Sequence, residues 1–169
     1  AVDLFEEPID LALRVTDTPP PGLAGRPLAT LRHLACASPH YLAERGHPQH
    51  PRDLEHHACI TLGEDERDRH WRFERAGESA TVAVRGRYVA NHSEVRLEAA
   101  LSHLGIASLP GFTARAALAR GDLVTVLPDW EHKTSYAGTA WVLYPSHRFL
   151  PAKLRVWIDH LVEGFAGVE

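Results

Sequence analysis

Short apolar segments that alternate with helix-like segments are the feature of this 169-residue chain that most constrains its fold. The apolar run at residues 8–15 predicts a mostly buried strand, and residues 16–22 predict a stiff proline loop. Residues 31–37 predict a second strand, which passes directly into a helix that begins at Pro39 with Ser38 as its N-cap. This alternation predicts an α/β fold with a largely parallel sheet.

The middle of the chain has a different pattern. Residues 70–74 and 81–85 alternate apolar and polar side chains around a turn at residues 76–79, which predicts a β-hairpin with one solvent-exposed face. The helix–strand pattern then resumes, with a helix at residues 93–104, a strand at 106–109 and a short helix at 111–120. A hairpin placed inside an α/β pattern indicates a second lobe inserted into the first.

Composition and charge exclude several classes of protein. The chain is 44% hydrophobic and 24% charged, which is typical of soluble globular domains. Its longest apolar runs fall far short of the roughly 20 residues of a membrane-spanning helix, and its acidic start does not resemble a signal peptide. We therefore expect a cytoplasmic protein that does not bind membranes. The net charge of −4 argues against DNA binding by this stretch itself.

Sequence motifs of enzymes are absent from the chain. It contains no nucleophile elbow, phosphate-binding loop, dinucleotide fingerprint or zinc-protease helix, so we expect no cofactor and no catalysis. His92 and Ser93 are the only adjacent candidates for a small α/β enzyme that uses a cleft serine or histidine, and no third member is visible. An enzyme therefore remains only an alternative.

Metal-ligating residue types do not form a recognisable site. Seven of the twelve histidines lie at residues 33–70, but their spacing fits no closed zinc site, so we expect adventitious metal binding and no physiological metal. Cys36 and Cys59 both lie in apolar segments and fit no disulfide framework, which predicts buried reduced thiols.

An ordered series of segments carries a family resemblance. The segments are residues 9–14, 28–42, 46–48, 51–54, 57–60 and 71–73, Asn91, and residues 99–110, 121–127, 143–145 and 150–155. Together they resemble the effector-binding domain of LysR-type transcriptional regulators over nearly the whole chain. Each segment alone is a weak signal, whereas the ordered series is specific.

The resemblance implies an α/β, two-lobed periplasmic-binding-protein-like (type 2) fold that holds a small effector between its lobes. Lobe one would comprise residues 1–36 and 110–169, and lobe two residues 37–109. Family members begin with a helix-turn-helix domain, a linker helix and a strand-helix-strand portion of lobe one, none of which precedes Ala1. We therefore expect an N-terminally incomplete lobe one with an exposed apolar patch, involving the first strand and helix positions such as Trp157 and Leu161.

The leading interpretation is the ligand-sensing part of a cytoplasmic transcriptional regulator. DNA would then be bound only through a helix-turn-helix domain absent from this chain, and the parent protein would be a homo-oligomer, as the family implies. Whether the shortened chain self-associates stays open. The main alternative is a solute-binding protein of the same fold.

The effector is expected where strands end and helices begin, because ligands of open α/β structures collect there. The predicted effector-binding residues are Arg14, Ala37, Ser38, Asn91, His92, Ser93, Leu109, Pro110 and Phe112. Helix amides near Ser93 and a two-pronged contact from Arg14 would favour a small organic acid, aromatic if it packs on Phe112. Two alternatives stay open, namely that Arg14 forms a structural salt bridge and that Ser93 is a plain helix cap.

Overall fold

The structure is a computed structural model that describes residues 10–16, 18–146 and 150–165. Two compact units make up the chain. One contains the described residues of 1–31 and 136–169, and the other is Arg32–Ser135. This division falls after residues 31 and 135, whereas the predicted lobe boundaries fall after residues 36 and 109. The assignment of these units to two lobes of an effector domain stays a prediction.

The elements follow one another in an order close to the one expected. They are β1 (Ala12–Thr16), β2 (Leu23–Leu31), β3 (His33–Ala37), α1 (Pro39–Arg45), β4 (Cys59–Ile60), β5 (His70–Arg75), β6 (Glu78–Ala83), α2 (Ser93–Leu101), β7 (Ile106–Pro110), α3 (Gly111–Arg120), β8 (Val124–Thr125), β9 (Glu131–Lys133), β10 (Gly138–Pro145) and α4 (Ala152–Phe165). Short 3₁₀ helices cover Pro51–His56 and Glu66–Arg69. No helix within these described residues is long and apolar enough to cross a membrane.

Several of the predicted boundaries need correction. The strand expected at residues 31–37 is interrupted at Arg32, so it comprises the end of β2 and all of β3. The helix expected at residues 93–104 ends at Leu101. Of the strand expected at residues 8–15, residues 8 and 9 lie outside the described residues.

Strand direction is where the sequence-based prediction of the sheet is wrong. Nearly all pairs of described strands are antiparallel, and β4 with β7 is the one parallel ladder among them. The physical reason lies in the connectivity. The chain enters the Arg32–Ser135 unit through β3 and leaves it after β9, so these two strands run in opposite directions where they pair. Alternating strands and helices do not fix this direction.

The unit formed by the chain ends is a three-stranded antiparallel sheet covered by α4. The strand order is β1-β10-β2, and Leu28, Val142 and Ile158 form the centre of its core. Four apolar side chains on β1 and α4 are exposed, namely Leu13, Val15, Val156 and Trp157. Leu161, in contrast, packs against the core.

The Arg32–Ser135 unit contains a strongly curled sheet in the order β4-β7-β3-β9-β5-β6, with β8 paired to β3. The segment after β6 returns to β4, where Arg85 bridges to Ala58 and Val89 to Thr61. Because side chains alternate along a strand, successive residues of β3 face two different hydrophobic cores of this unit. One core holds Trp71, Phe73 and Trp130 inside the curl, and the other holds residues of α2 and α3.

Both cysteines lie in these cores. Cys36 and Cys59 are fully buried and free. Burial raises the pKa of both thiols to about 12, so they stay protonated and poorly nucleophilic at neutral pH. The prediction of buried reduced thiols is confirmed.

A polar cluster formed by His33, Ser108 and His132 interrupts the apolar interior of the curled sheet. His33 and His132 are direct partners on β3 and β9, and all three residues are buried. His132 Nδ1 lies 3.3 Å from the carbonyl oxygen of Arg72, which can only accept, so this nitrogen carries the proton. His132 Nε2 then accepts a hydrogen bond from Ser108 Oγ, at 3.0 Å. Neutral His132 satisfies this geometry completely.

Burial lowers the pKa of both histidines in this cluster to about 4. The nearby guanidinium of Arg96 lowers the pKa of His33 further, and His33 has the same effect on His132. Both imidazoles are therefore neutral at neutral pH, and each would leave the folded state less stable if it were protonated.

The hairpin turn generates the first testable prediction. Arg75 of β5 pairs with Glu78 of β6, so Ala76 and Gly77 form a two-residue turn, and both have positive φ angles of 46° and 88°. This is a type I′ turn, in which asparagine is tolerated better than alanine. We expect Ala76→Asn to raise the free energy of unfolding by about 1 kcal/mol, as measured by urea denaturation.

The matched control for this prediction is Ala119→Asn, at an exposed position of α3. There the lower helix propensity of asparagine should cost about 0.5 kcal/mol. A loss of stability in both variants would contradict the assigned turn.

The second prediction concerns acid stability. Because the folded pKa values of His33 and His132 lie near 4, below the unfolded value of 6.5, the unfolded chain binds more protons between these pH values. The stabilisation is fully present above pH 6.5 and is lost as the pH falls towards 4. We expect a loss on the order of 3 kcal/mol per histidine at pH 4, measured as the urea unfolding free energy across that range.

His132→Asn should flatten this pH dependence, because its amide can donate to the carbonyl oxygen of Arg72 without titrating. His47→Asn is the control, since His47 is exposed, and it should leave the profile unchanged. An identical slope in wild type and His132→Asn would remove His132 from this account.

Candidate functional site

The antiparallel pairing of β3 with β7 separates the predicted effector-binding residues into two groups. His33 lies opposite Pro110 and Leu34 opposite Leu109, so the end of β7 is beside the start of β3. Ala37 is the last residue of β3, about 13 Å along the strand from His33, and Ser38 follows it. Both groups are predicted to line one cleft, and the structure of this unit does not bring them together.

Ala37 and Ser38 are both buried, and Ser38 is 1% exposed. Ser38 Oγ accepts a hydrogen bond from the backbone N–H of Tyr41, at 3.2 Å, and lies 2.8 Å from His103 Nδ1. The predicted N-cap of α1 is thereby confirmed, as is Gly46 at the helix end. Because the protein itself uses this hydroxyl, ligand contact by Ala37 or Ser38 stays an unsupported prediction.

The start of α2 places three predicted residues at the surface. Asn91 and His92 are exposed, and Ser93 is half-buried as the first helical residue. His92 occupies the N-cap position, but its side chain makes no capping hydrogen bond. The alternative interpretation of Ser93 as the N-cap is therefore wrong by one position, and the first-turn amides of α2 have no side-chain cap.

The start of α3 lies beside the start of α2. Pro110 precedes the helix without any capping side chain, Phe112 is 52% exposed, and Thr113 is buried. Thr113 Oγ1 donates a hydrogen bond to Ser93 Oγ, at 3.1 Å, and so joins the two helix starts. Sequence reasoning missed Thr113, although its position in the first turn of a predicted helix was a usable signal.

This arrangement has the electrostatic character of an anion site. Helix N-termini carry partial positive charge and unpaired amide hydrogens, and here two of them meet. Because Ser93 Oγ accepts from Thr113, its own hydroxyl hydrogen is available to an acceptor. We define the helix-start site as the first turns of α2 and α3, with Ser93, Phe112 and Thr113.

Arg96 supports this site from behind. Its side chain is on α2, is 3% exposed, and donates from Nε to the carbonyl oxygen of Ser108, at 3.1 Å, and from Nη1 to that of Ala90, at 2.6 Å. These bonds tie α2 to β7 and to the segment before the helix. The charge also adds positive potential near the helix start. Sequence reasoning missed Arg96, although it lies three and four residues before the buried Ala99 and Ala100.

Arg14 belongs to the other unit and is exposed on β1, opposite Trp141. Within the described residues it forms no ion pair, so the salt-bridge alternative finds no partner there. Its proposed contact with a ligand is untested.

The clustered histidines have local structural contacts. His50 caps the Pro51–His56 helix through Nδ1, and His57 Nδ1 lies 3.2 Å from the hydroxyl of Tyr41. Across the described ranges, no three histidine, cysteine or acidic side chains come together in a way that would hold a metal ion.

Comparisons with known proteins agree on one family. The model of the LysR substrate binding domain matches residues 1–166. The chain is 52% identical to the probable HTH-type transcriptional regulator LtrA of Klebsiella pneumoniae, over 96% of this chain and 52% of that protein. It is 36% identical to the HTH-type transcriptional regulator PtxR of Pseudomonas aeruginosa, over 95% of this chain and 51% of that protein. The chain thus spans about half the length of these curated relatives.

A solved structure gives the same result. The regulatory domain of AphB from Vibrio vulnificus superposes with a TM-score of 0.79 at 29% identity, covering 96% of this chain and 78% of that one.

These findings confirm the predicted α/β periplasmic-binding-protein-like (type 2) fold class. They also confirm the prediction that the chain is not an enzyme, because the relatives are transcriptional regulators. The solute-binding alternative is not favoured, for the same reason. The family resemblance noted in the sequence is correct, and the chain belongs to the LysR substrate binding domain family.

Proposed function

We propose that the effector of this LysR-type domain is a small organic anion held at the helix-start site. The observation that carries the proposal is the hydrogen bond between Thr113 and Ser93, which brings two uncapped helix N-termini to one place. A carboxylate there would accept hydrogen bonds from first-turn amides and from the Ser93 hydroxyl.

The charges around the helix-start site favour an anion over a cation. Arg96 is buried directly behind the start of α2, and its charge is permanent. His33 and His132, with pKa values of about 4, are neutral and add no charge at neutral pH. The positive potential comes from Arg96 and the two helix dipoles, and the exposed carboxylate of Glu94 in the first turn of α2 offsets part of it.

The exposed ring of Phe112 adds an apolar element to this site. A ring that is half exposed beside two helix starts offers packing area to an aromatic acid. Asn91 and His92 lie at the same edge and supply further polar groups. An aromatic carboxylate such as benzoate is therefore a suitable first probe.

The role of the whole protein extends this proposal. The relatives are named HTH-type transcriptional regulators, which supports a parent protein that binds DNA through a helix-turn-helix segment. We place that parent in the cytoplasm as a homo-oligomer, where effector binding to this domain would change its action on DNA. In this scheme the 169-residue chain contributes ligand sensing.

The proposal predicts charge-selective binding. Benzoate should raise the thermal unfolding midpoint of the protein, whereas benzylamine of similar size should not. Ser93→Ala and Thr113→Val should each weaken benzoate binding about tenfold, because each removes part of a hydrogen-bonded pair that faces a charged group. Isothermal titration calorimetry measures the affinities, and Ser79→Ala and Thr81→Val, at exposed positions of β6, are the matched controls.

Arg14→Ala is a separate arm of the same titration. If Arg14 contacts the ligand, Arg14→Ala weakens benzoate binding, and Ser93→Ala still weakens it further. Equal affinity in wild type and Arg14→Ala would remove Arg14 from the site. If only amines, and no acids, raised the thermal unfolding midpoint in a wider screen, the proposal of an anionic effector would be contradicted.

A further inference from the structure

A second cavity lies in the Arg32–Ser135 unit and shares no lining residue with the helix-start site. β3 pairs with β8 at Cys36 and Ala37 and with β9 at His33, and the chain between β8 and β9 leaves the sheet. The gap forms a cavity of about 430 Å³ between β3, β5 and the β8–β9 segment. A cavity of this volume accommodates a small metabolite.

The cavity wall contains an unmatched hydrogen-bond donor. Trp130 is 6% exposed, and its Nε1 is buried without a hydrogen-bond partner in the part of the chain that the structure describes. A buried donor without an acceptor costs free energy, and this N–H has no surface accessible from the cavity. Phe73 and Val126 supply apolar wall beside it.

Most charged groups of this cavity are neutralised by neighbours. Glu74 and Glu131 both pair with Lys133, and Arg75 pairs with Glu78 while it lies 4.3 Å over the ring of Trp130. These groups therefore have partners without a ligand.

Two charges of opposite sign have no such partners. The exposed side chains of Arg32 and Asp129 form no ion pair and no side-chain hydrogen bond within the described residues, with each other or with any neighbour. A cavity with one unpaired cation, one unpaired anion and an apolar wall matches a ligand that carries both charges itself. A ligand that carried only a negative charge would be repelled by the carboxylate of Asp129.

We infer that this cavity is a second ligand site and that it binds an α-amino acid with an apolar side chain. The carboxylate pairs with Arg32, the ammonium group with Asp129, and the side chain packs against the Phe73 and Val126 wall. This site is independent of the anion proposed at the helix-start site.

The test uses three probes of one carbon skeleton. Leucine carries both charges, 4-methylpentanoate only the carboxylate, and 3-methylbutylamine only the ammonium group. Calorimetry should show leucine binding at least tenfold more tightly than either analogue. The series is measured in wild type and in the Ser93→Ala/Thr113→Val variant, where binding at the helix-start site is weakened, and the leucine affinity should be the same in both.

Two variants complete the experiment. Arg32→Gln and Asp129→Asn should each weaken leucine binding at least tenfold. Arg45→Gln and Glu55→Gln are exposed controls without an effect. Thermal unfolding midpoints show whether each variant is folded.

The inference is overturned by undetectable leucine binding at millimolar concentration, or by equal binding of leucine and either analogue. It is also overturned by unchanged leucine affinity in the folded Arg32→Gln and Asp129→Asn variants. Because Arg32, Asp129 and Trp130 lie outside the helix-start site, none of these results bears on benzoate binding there.

Discussion

The antiparallel ladder between β3 and β7 is the constraint on which the candidate site depends. It places His33 opposite Pro110, so the last residue of β7 and the first turn of α3 lie at the start of β3. The backbone N–H of Gly111 donates to the carbonyl oxygen of Arg32, at 2.8 Å, and fixes the start of α3 to the same point. α2 is then held against β7 by Arg96. The register between β3 and β7 fixes where β7 ends, and this position brings the N-termini of α2 and α3 together.

Polar groups inside this unit appear costly until their partners are considered. His132 is neutral and forms hydrogen bonds with Ser108 and with the carbonyl oxygen of Arg72. The charged guanidinium of Arg96 donates hydrogen bonds to two backbone carbonyl oxygens. Among these buried groups, Arg96 behind the helix-start site carries the positive charge, and the imidazoles of His33 and His132 carry none. The two buried imidazoles therefore affect the acid stability of the core, whereas the positive potential behind the helix-start site comes from Arg96.

Local signals predicted local structure well and tertiary relations poorly. The Ser38 cap and Gly46 at the two ends of α1 could be predicted, because capping chemistry involves residues a few positions apart. Strand direction could not, since it depends on where the chain re-enters the sheet. Thr113 and Arg96 were missed for the same reason, because their roles arise from partners on other elements. The distance between Ala37 and Leu109 along the β3–β7 ladder could not be predicted either, because it depends on the antiparallel register.

Backbone amide chemical-shift mapping of the isotope-labelled chain during titration with benzoate would locate the effector directly. If the anion binds at the helix-start site, the largest shift changes occur in the first turns of α2 and α3, at Ser93 to Val95 and at Phe112 to Ala114. Changes centred instead on Ala37, Ser38 and the start of α1 would contradict this proposal. In that case the site would lie at the opposite end of β3 from the joined helix starts.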